Sequence, residues 1–60
     1  DENYALEIFD RWGRSFFRTD APQEAWEGTD MNGAAAREGV YYYSLKIGEK
    51  VYNGNITLMR

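Results

Sequence analysis

Side chains able to do covalent chemistry are scarce in these 60 residues. There is no His and no Cys. The two Ser residues, Ser15 and Ser44, fall in runs that read as strand with no base beside them, so nucleophilic catalysis has no pair of groups to work with. Glu27 and Asp30 are close enough in sequence to be considered as an acid-base couple. Turn carboxylates bonded to backbone N–H groups are the favoured reading of the same two residues. Asp30-Met31-Asn32-Gly33 echoes the opening of a Ca²⁺ loop, yet it lacks the third oxygen ligand and the distal bidentate Glu, and a plain turn is preferred. Asn55-Ile56-Thr57 has the form of a glycosylation triplet but lies in a predicted strand and is discounted. The chain is therefore read as non-catalytic, with no cofactor and no metal assigned.

Residues suited to contact are more prominent. Trp12 stands at a predicted hairpin tip between Arg11 and Arg14, where core packing explains it least. It is either a recognition feature or a ring folded back under a stacked guanidinium. In Tyr41-Tyr42-Tyr43, alternation sends Tyr41 and Tyr43 to the core and leaves Tyr42 as the outward member of the run, a candidate for a contact surface.

These residues have to be held by strands. Gly and Asn/Asp recur at short intervals between β-branched and aromatic runs, and no stretch keeps a 3.6-residue apolar period, so an all-β chain is predicted. Residues 4–9 alternate, with Tyr4, Leu6 and Ile8 on one face. Asp10-Arg11-Trp12-Gly13 follows with Asp and Gly at the ends of a four-residue turn, and a return strand is expected over 14–19 with Phe16 and Phe17 on opposite faces. Residues 20–36, carrying Pro22, Gly28 and Gly33, read as connection, in which Trp26 is expected to fold back as a plug over the core. A second Asp-to-Gly turn is placed at 30–33, and 34–38 has helix propensity for at most one turn. Residues 40–47 alternate clearly, with Tyr41, Tyr43, Leu45 and Ile47 on one face. After a turn at Gly48-Glu49-Lys50, Tyr52, Ile56 and Leu58 supply the matching set. The expected register pairs Ile47 with Tyr52, Leu45 with Gly54, Tyr43 with Ile56 and Tyr41 with Leu58. Asn53-Gly54 is read as a bulge or kink in one long strand.

Composition removes several functions. A net charge of minus 3 with seven scattered Lys and Arg residues gives no basic stripe for phosphates, so no nucleic-acid partner is expected. The longest apolar run is only a few residues, which excludes a transmembrane helix or signal peptide within these residues. The strand pattern begins almost at Asp1, with no initiating Met, and the chain is taken as a piece of a larger polypeptide continuing N-terminal to Asp1.

Four segments together resemble one family. Leu6-Glu7-Ile8-Phe9-Asp10-Arg11-Trp12-Gly13 is similar to the L-x-I-[YF]-[ND]-R-W-G segment of the gliding motility-associated C-terminal domains, the type B sorting domains of the type IX secretion system. Trp26-Glu27-Gly28-Thr29-Asp30-Met31-Asn32-Gly33 resembles their W-D-G-T-x-x-x-G, with Glu27 in place of Asp. Gly39-Val40-Tyr41-Tyr42-Tyr43 resembles G-x-Y-x-Y, and Gly54-Asn55-Ile56-Thr57-Leu58-Met59-Arg60 the closing G-x-I-T-L-[IVM]-R. The resemblance implies an immunoglobulin-like β-sandwich, of which residues 1–60 would be the C-terminal part, lacking its N-terminal strand or strands. It also implies a secretion and sorting signal that carries a large cargo through the periplasm to the cell surface or the medium. Its partners would be an outer-membrane translocon and that translocon's partner β-barrel proteins. Arg11, Trp12, Tyr42 and Arg60 are the expected contacts. The alternative is a structural spacer of the flagellar hook-capping type, which shares W-D-G-x-D-x-x-G and G-x-Y-x-Y.

Overall fold

The computed structural model describes residues 3–59. Among them four strands, β1 (Tyr4–Phe9), β2 (Ser15–Thr19), β3 (Gly39–Ile47) and β4 (Lys50–Leu58), make one antiparallel sheet in the order β2-β1-β3-β4, and there is no helix. The all-β expectation holds. The alternating runs form strands because a pleated backbone sends successive side chains to opposite faces, and aromatic and β-branched residues suit the half-buried surface that results. Pairing of Tyr4 with Ile47, Leu6 with Leu45 and Ile8 with Tyr43 brings the apolar sets of β1 and β3 onto one face.

That face is covered by the long connection between β2 and β3. Ile8, Phe16, Ala36 and Tyr41 are buried, with Leu6, Phe17, Trp26, Tyr43, Ile56 and Leu58 packed around them. Tyr41 is the centre, meeting the rings of Phe16 and Trp26 edge to face, each at a centroid distance of 5.1 Å. The Trp26 indole donates to the Thr29 carbonyl at 2.7 Å, and the Tyr41 hydroxyl donates to the Arg37 carbonyl at 2.7 Å. Both polar handles are thus satisfied while the rings stay in the core. Trp26 is the plug that the sequence predicts. One sheet and its covering connection account for the described residues.

Three details differ from the sequence-based expectations, each for a local reason. In the β1–β2 pair, Ile8 faces Phe17 while Phe9 faces Ser15, so Phe16 is an extra, bulged residue. A bulge re-aims the strand, and Phe16 and Phe17 both pack against the core where simple alternation would separate them. Residues 34–38 form no helical turn, within the expectation of at most one. Ala35 bridges to Thr29, and the Ala36 N–H donates to the Gly28 carbonyl at 2.8 Å, because burying Ala36 outweighs a short run of helix propensity.

The β3–β4 register is two residues from the expected one: Leu45 faces Tyr52, Tyr43 faces Gly54, Tyr41 faces Ile56 and Gly39 faces Leu58. The cause is a shorter turn. Ile47 pairs directly with Lys50 across Gly48-Glu49, and Gly48 has φ +61° while Glu49 has no positive φ, the combination of a two-residue type II′ loop. Nor is there a bulge at Gly54, since the pairing runs unbroken through it. A Cβ at Gly54 would lie 2.6 Å from Tyr43 Cε2 and 2.7 Å from its hydroxyl. The glycine therefore makes room for the tyrosine ring lying across β4.

Candidate functional site

Two turns built to one plan contribute to an open cleft at one end of the sheet. In the first, the Asp10 carboxylate oxygen Oδ1 accepts the N–H groups of Trp12 and Arg14, both at 2.9 Å. The Asp10 carbonyl accepts from Gly13 at 3.0 Å, the Asp10 N–H donates to the Arg14 carbonyl at 3.0 Å, and Gly13 takes φ +83°. In the second, Asp30 Oδ1 accepts from Asn32 and Ala34, both at 2.9 Å. Its carbonyl accepts from Gly33 at 3.0 Å, its N–H donates to the Ala34 carbonyl at 2.8 Å, and Gly33 takes φ +85°. A carboxylate two and four residues ahead of the amides it binds fixes the loop from within, and the glycine adopts the left-handed conformation that closes it. Asp30 is thus a turn residue, as its preferred sequence reading has it.

Asp10 and Asp30 line the same cleft, of about 610 Å³, together with Arg11, Trp12, Arg14 and Tyr42. Three of the four expected contact residues, Arg11, Trp12 and Tyr42, therefore lie around one depression. Trp12 is 77% exposed, with the Arg11 guanidinium 4.5 Å above its ring. Arg11 stacks on the Trp12 ring, as one of its two sequence readings has it, but the ring stays in solvent and is not folded back. Tyr42 is also exposed and stacks against Phe9, its direct neighbour across the β1–β3 pair, at 6.3 Å and 28°. Arg60, the fourth expected contact, lies outside the described residues.

Sequence reasoning missed Arg37 and Glu38, which reach the same cleft from the segment before β3. The signal that could have found them is the repeated Asp-x-x-Gly spacing, which marks two rigid turns whose neighbours can converge. Of the acidic residues lining the cleft, Asp10 and Asp30 have an oxygen committed to turn amides, whereas Glu38 has no such role. Arg14 sits over the Phe16 ring at 5.1 Å, with its Nε 3.5 Å from the Asp10 carboxylate. The Ser15 hydroxyl is buried without a hydrogen-bond partner among the described residues.

The turn gives a direct test of how the aromatic is held. Asp10→Ala removes the acceptor of two amides and is expected to cost about 1 to 3 kcal/mol, as for bonds to an ionised group. Asp10→Asn keeps a carbonyl acceptor and should lose under half as much. Urea unfolding of the two variants, with Trp12 fluorescence reporting the ring environment, distinguishes them. Equal losses would mean that the carboxylate's charge, and not its acceptor geometry, holds the turn.

The family described as CHU_C Type IX secretion signal domain matches residues 1–58 of the chain. No curated protein and no solved structure matches it.

Proposed function

The chain belongs to the CHU_C Type IX secretion signal domain family, and from that premise we propose that it works as a non-catalytic sorting signal whose folded surface is read by the export machinery. In this reading the whole chain is part of one immunoglobulin-like sorting domain. The attached cargo crosses the periplasm and leaves through an outer-membrane translocon and its partner β-barrel proteins, reaching the cell surface or the medium.

The observation that carries this reading is the cleft, where Trp12 is presented 77% exposed on a turn braced by a buried Asp10. Trp12 is not among the side chains packed in the core, and Trp, Tyr and Arg are the residues enriched where binding energy concentrates at interfaces. Arg11, Arg14 and Arg37 line the cleft together with Asp10, Asp30 and Glu38, so its formal charges balance. Each of these bonds of the first turn lies within residues 10–14, so the loop that carries Trp12 is fixed from within.

Export of a reporter fused to the full domain tests the proposal. Arg11→Ala/Trp12→Ala removes two exposed side chains that the core does not use, so the variant is expected to fold with an unchanged circular dichroism spectrum. Secretion should fall by roughly tenfold or more, the loss of a central interface anchor. Normal export of the folded double variant would remove the cleft from recognition.

A further inference from the structure

The cleft between the two turns is poorly suited to an ion. Its guanidiniums and carboxylates cancel, and the carboxylates of Asp10 and Asp30 already serve turn amides. Nor is it an apolar pocket, since two of the rings that line it face water, Trp12 at 77% exposure and Tyr42 at 37%. It also lies clear of the point where the chain enters the sheet. Asn3, whose carbonyl accepts from the Gly48 N–H, stands at one end of β1, and Asp10 and the cleft stand at the other.

Each exposed ring is held on one face. Arg11 Cζ lies 4.5 Å from the centre of the Trp12 ring, and Phe9 stacks against Tyr42 at 6.3 Å. A ring held in this way keeps a second face for another molecule, and an aromatic face is the negative pole of its quadrupole. Around the rings stand groups that donate, the guanidiniums of Arg11, Arg14 and Arg37, and one that accepts, the Glu38 carboxylate. Their supports are in place before any ligand arrives: Asp10 Oδ1 ties down the amides of Trp12 and Arg14, and the Arg37 carbonyl accepts from the Tyr41 hydroxyl. Groups fixed in advance lose less freedom on binding.

We propose that this cleft is a binding site for a neutral sugar. A pyranose has a face of weakly positive C–H bonds and a rim of hydroxyls that each donate and accept. The C–H face suits the negative face of an exposed aromatic ring. Neighbouring hydroxyls suit a guanidinium beside a carboxylate, the first donating to them and the second accepting from them. A neutral ligand leaves the balanced charges of the lining undisturbed, whereas an acidic or basic one is repelled by half of them. At 610 Å³ the cleft lies within the range of small-ligand sites, about 300 to 1,000 Å³. In this assignment Trp12 carries the face of the sugar, and Arg37 and Glu38 take up its hydroxyls. The site goes beyond the sorting role and stands or falls separately from it.

Calorimetric titration of the intact polypeptide that carries these residues tests the assignment, with methyl glucoside, methyl galactoside, methyl mannoside and their disaccharides as probes, and glucuronate and glucosamine as charged controls. Saturable binding of at least one neutral sugar is expected at a Kd of about 1 mM, with weaker binding of both controls. Trp12→Ala should weaken that binding roughly tenfold or more. Glu38→Gln leaves the aromatic face in place, and should weaken the neutral sugar while tightening glucuronate, a change of selectivity that a merely structural role would not produce. It also decides the matter should Trp12→Ala fail to fold. Neutral-sugar binding that both variants leave unchanged would overturn the assignment, because it would use another surface. So would the failure of every neutral sugar to bind, or a preference for a charged peptide over all of them. If Arg11→Ala/Trp12→Ala loses export and the parent binds no sugar, this site is excluded and the sorting role stands. Sugar binding by the parent with normal export of that variant would do the reverse.

Discussion

Tyr41→Ala is expected to remove a large share of the chain's folding stability. Tyr41 is 5% exposed, and its ring touches both the bulged Phe16 of β2 and Trp26 of the covering connection. Truncating a large buried aromatic costs about 3 to 5 kcal/mol through lost transfer energy and the cavity left behind. At roughly 0.05 to 0.15 kcal/mol per residue, a 60-residue chain has only about 3 to 9 kcal/mol of stability in total. The covering connection has no secondary structure of its own beyond the bridge between Thr29 and Ala35. Without the Tyr41 ring, Trp26 loses the surface it is seated on, and the connection should detach with the core.

Tyr41→Phe separates the ring from its hydroxyl. It keeps both aromatic contacts and loses only the 2.7 Å bond to the Arg37 carbonyl. Arg37 is exposed, so water can replace the donor and the loss should be about 0.5 to 1.5 kcal/mol. Near-ultraviolet circular dichroism and urea midpoints of the two variants measure the difference. A Tyr41→Ala protein with a urea midpoint close to that of the parent would show that the sheet is stable without its cover, and that the 20–38 connection does not hold the core together.

The parts legible in the sequence are those in which one side chain reports on its own environment. Alternation across residues 4–9 and 40–47 gives β1 and β3 directly, the two Asp-x-x-Gly turns announce themselves by residue type, and Trp26 is conspicuous as a large aromatic in a polar connection. The parts that are not legible depend on counts and not on types. A two-residue slip between β3 and β4 leaves every side chain on the same face, so the apolar pattern is blind to it, and only the length of the Gly48-Glu49 loop decides. The bulge at Phe16 is one inserted residue between two phenylalanines that would satisfy either arrangement. The cleft is half visible. Arg11, Trp12 and Tyr42 can be chosen one at a time by exposure, but their meeting depends on β1 pairing with β3, and the addition of Arg37 and Glu38 depends on how the connection returns to the sheet.

Gly54 offers the sharpest check on the register, because its substitution should change sign with its neighbour. Gly54 has no positive φ, so alanine fits its backbone. The obstacle is the Tyr43 ring, with three of its atoms within 2.8 Å of where the Cβ would stand. Gly54→Ala must push that ring off the strand, and the displaced packing is expected to cost about 1 to 3 kcal/mol, as for other overpacked sites. In a Tyr43→Leu background the shorter side chain no longer reaches across β4. There the same glycine-to-alanine change should stabilise the fold by about 0.4 to 1 kcal/mol, by restricting the unfolded chain. Urea unfolding of the four proteins closes the cycle, and its coupling energy should exceed about 1 kcal/mol, the signature of residues in direct contact. The register expected from the apolar pattern alone puts Gly54 opposite Leu45 and predicts no such coupling with Tyr43. An additive cycle would therefore favour that register, whereas an inversion of sign would place the tyrosine ring over the glycine and fix the pairing of β3 with β4 in solution.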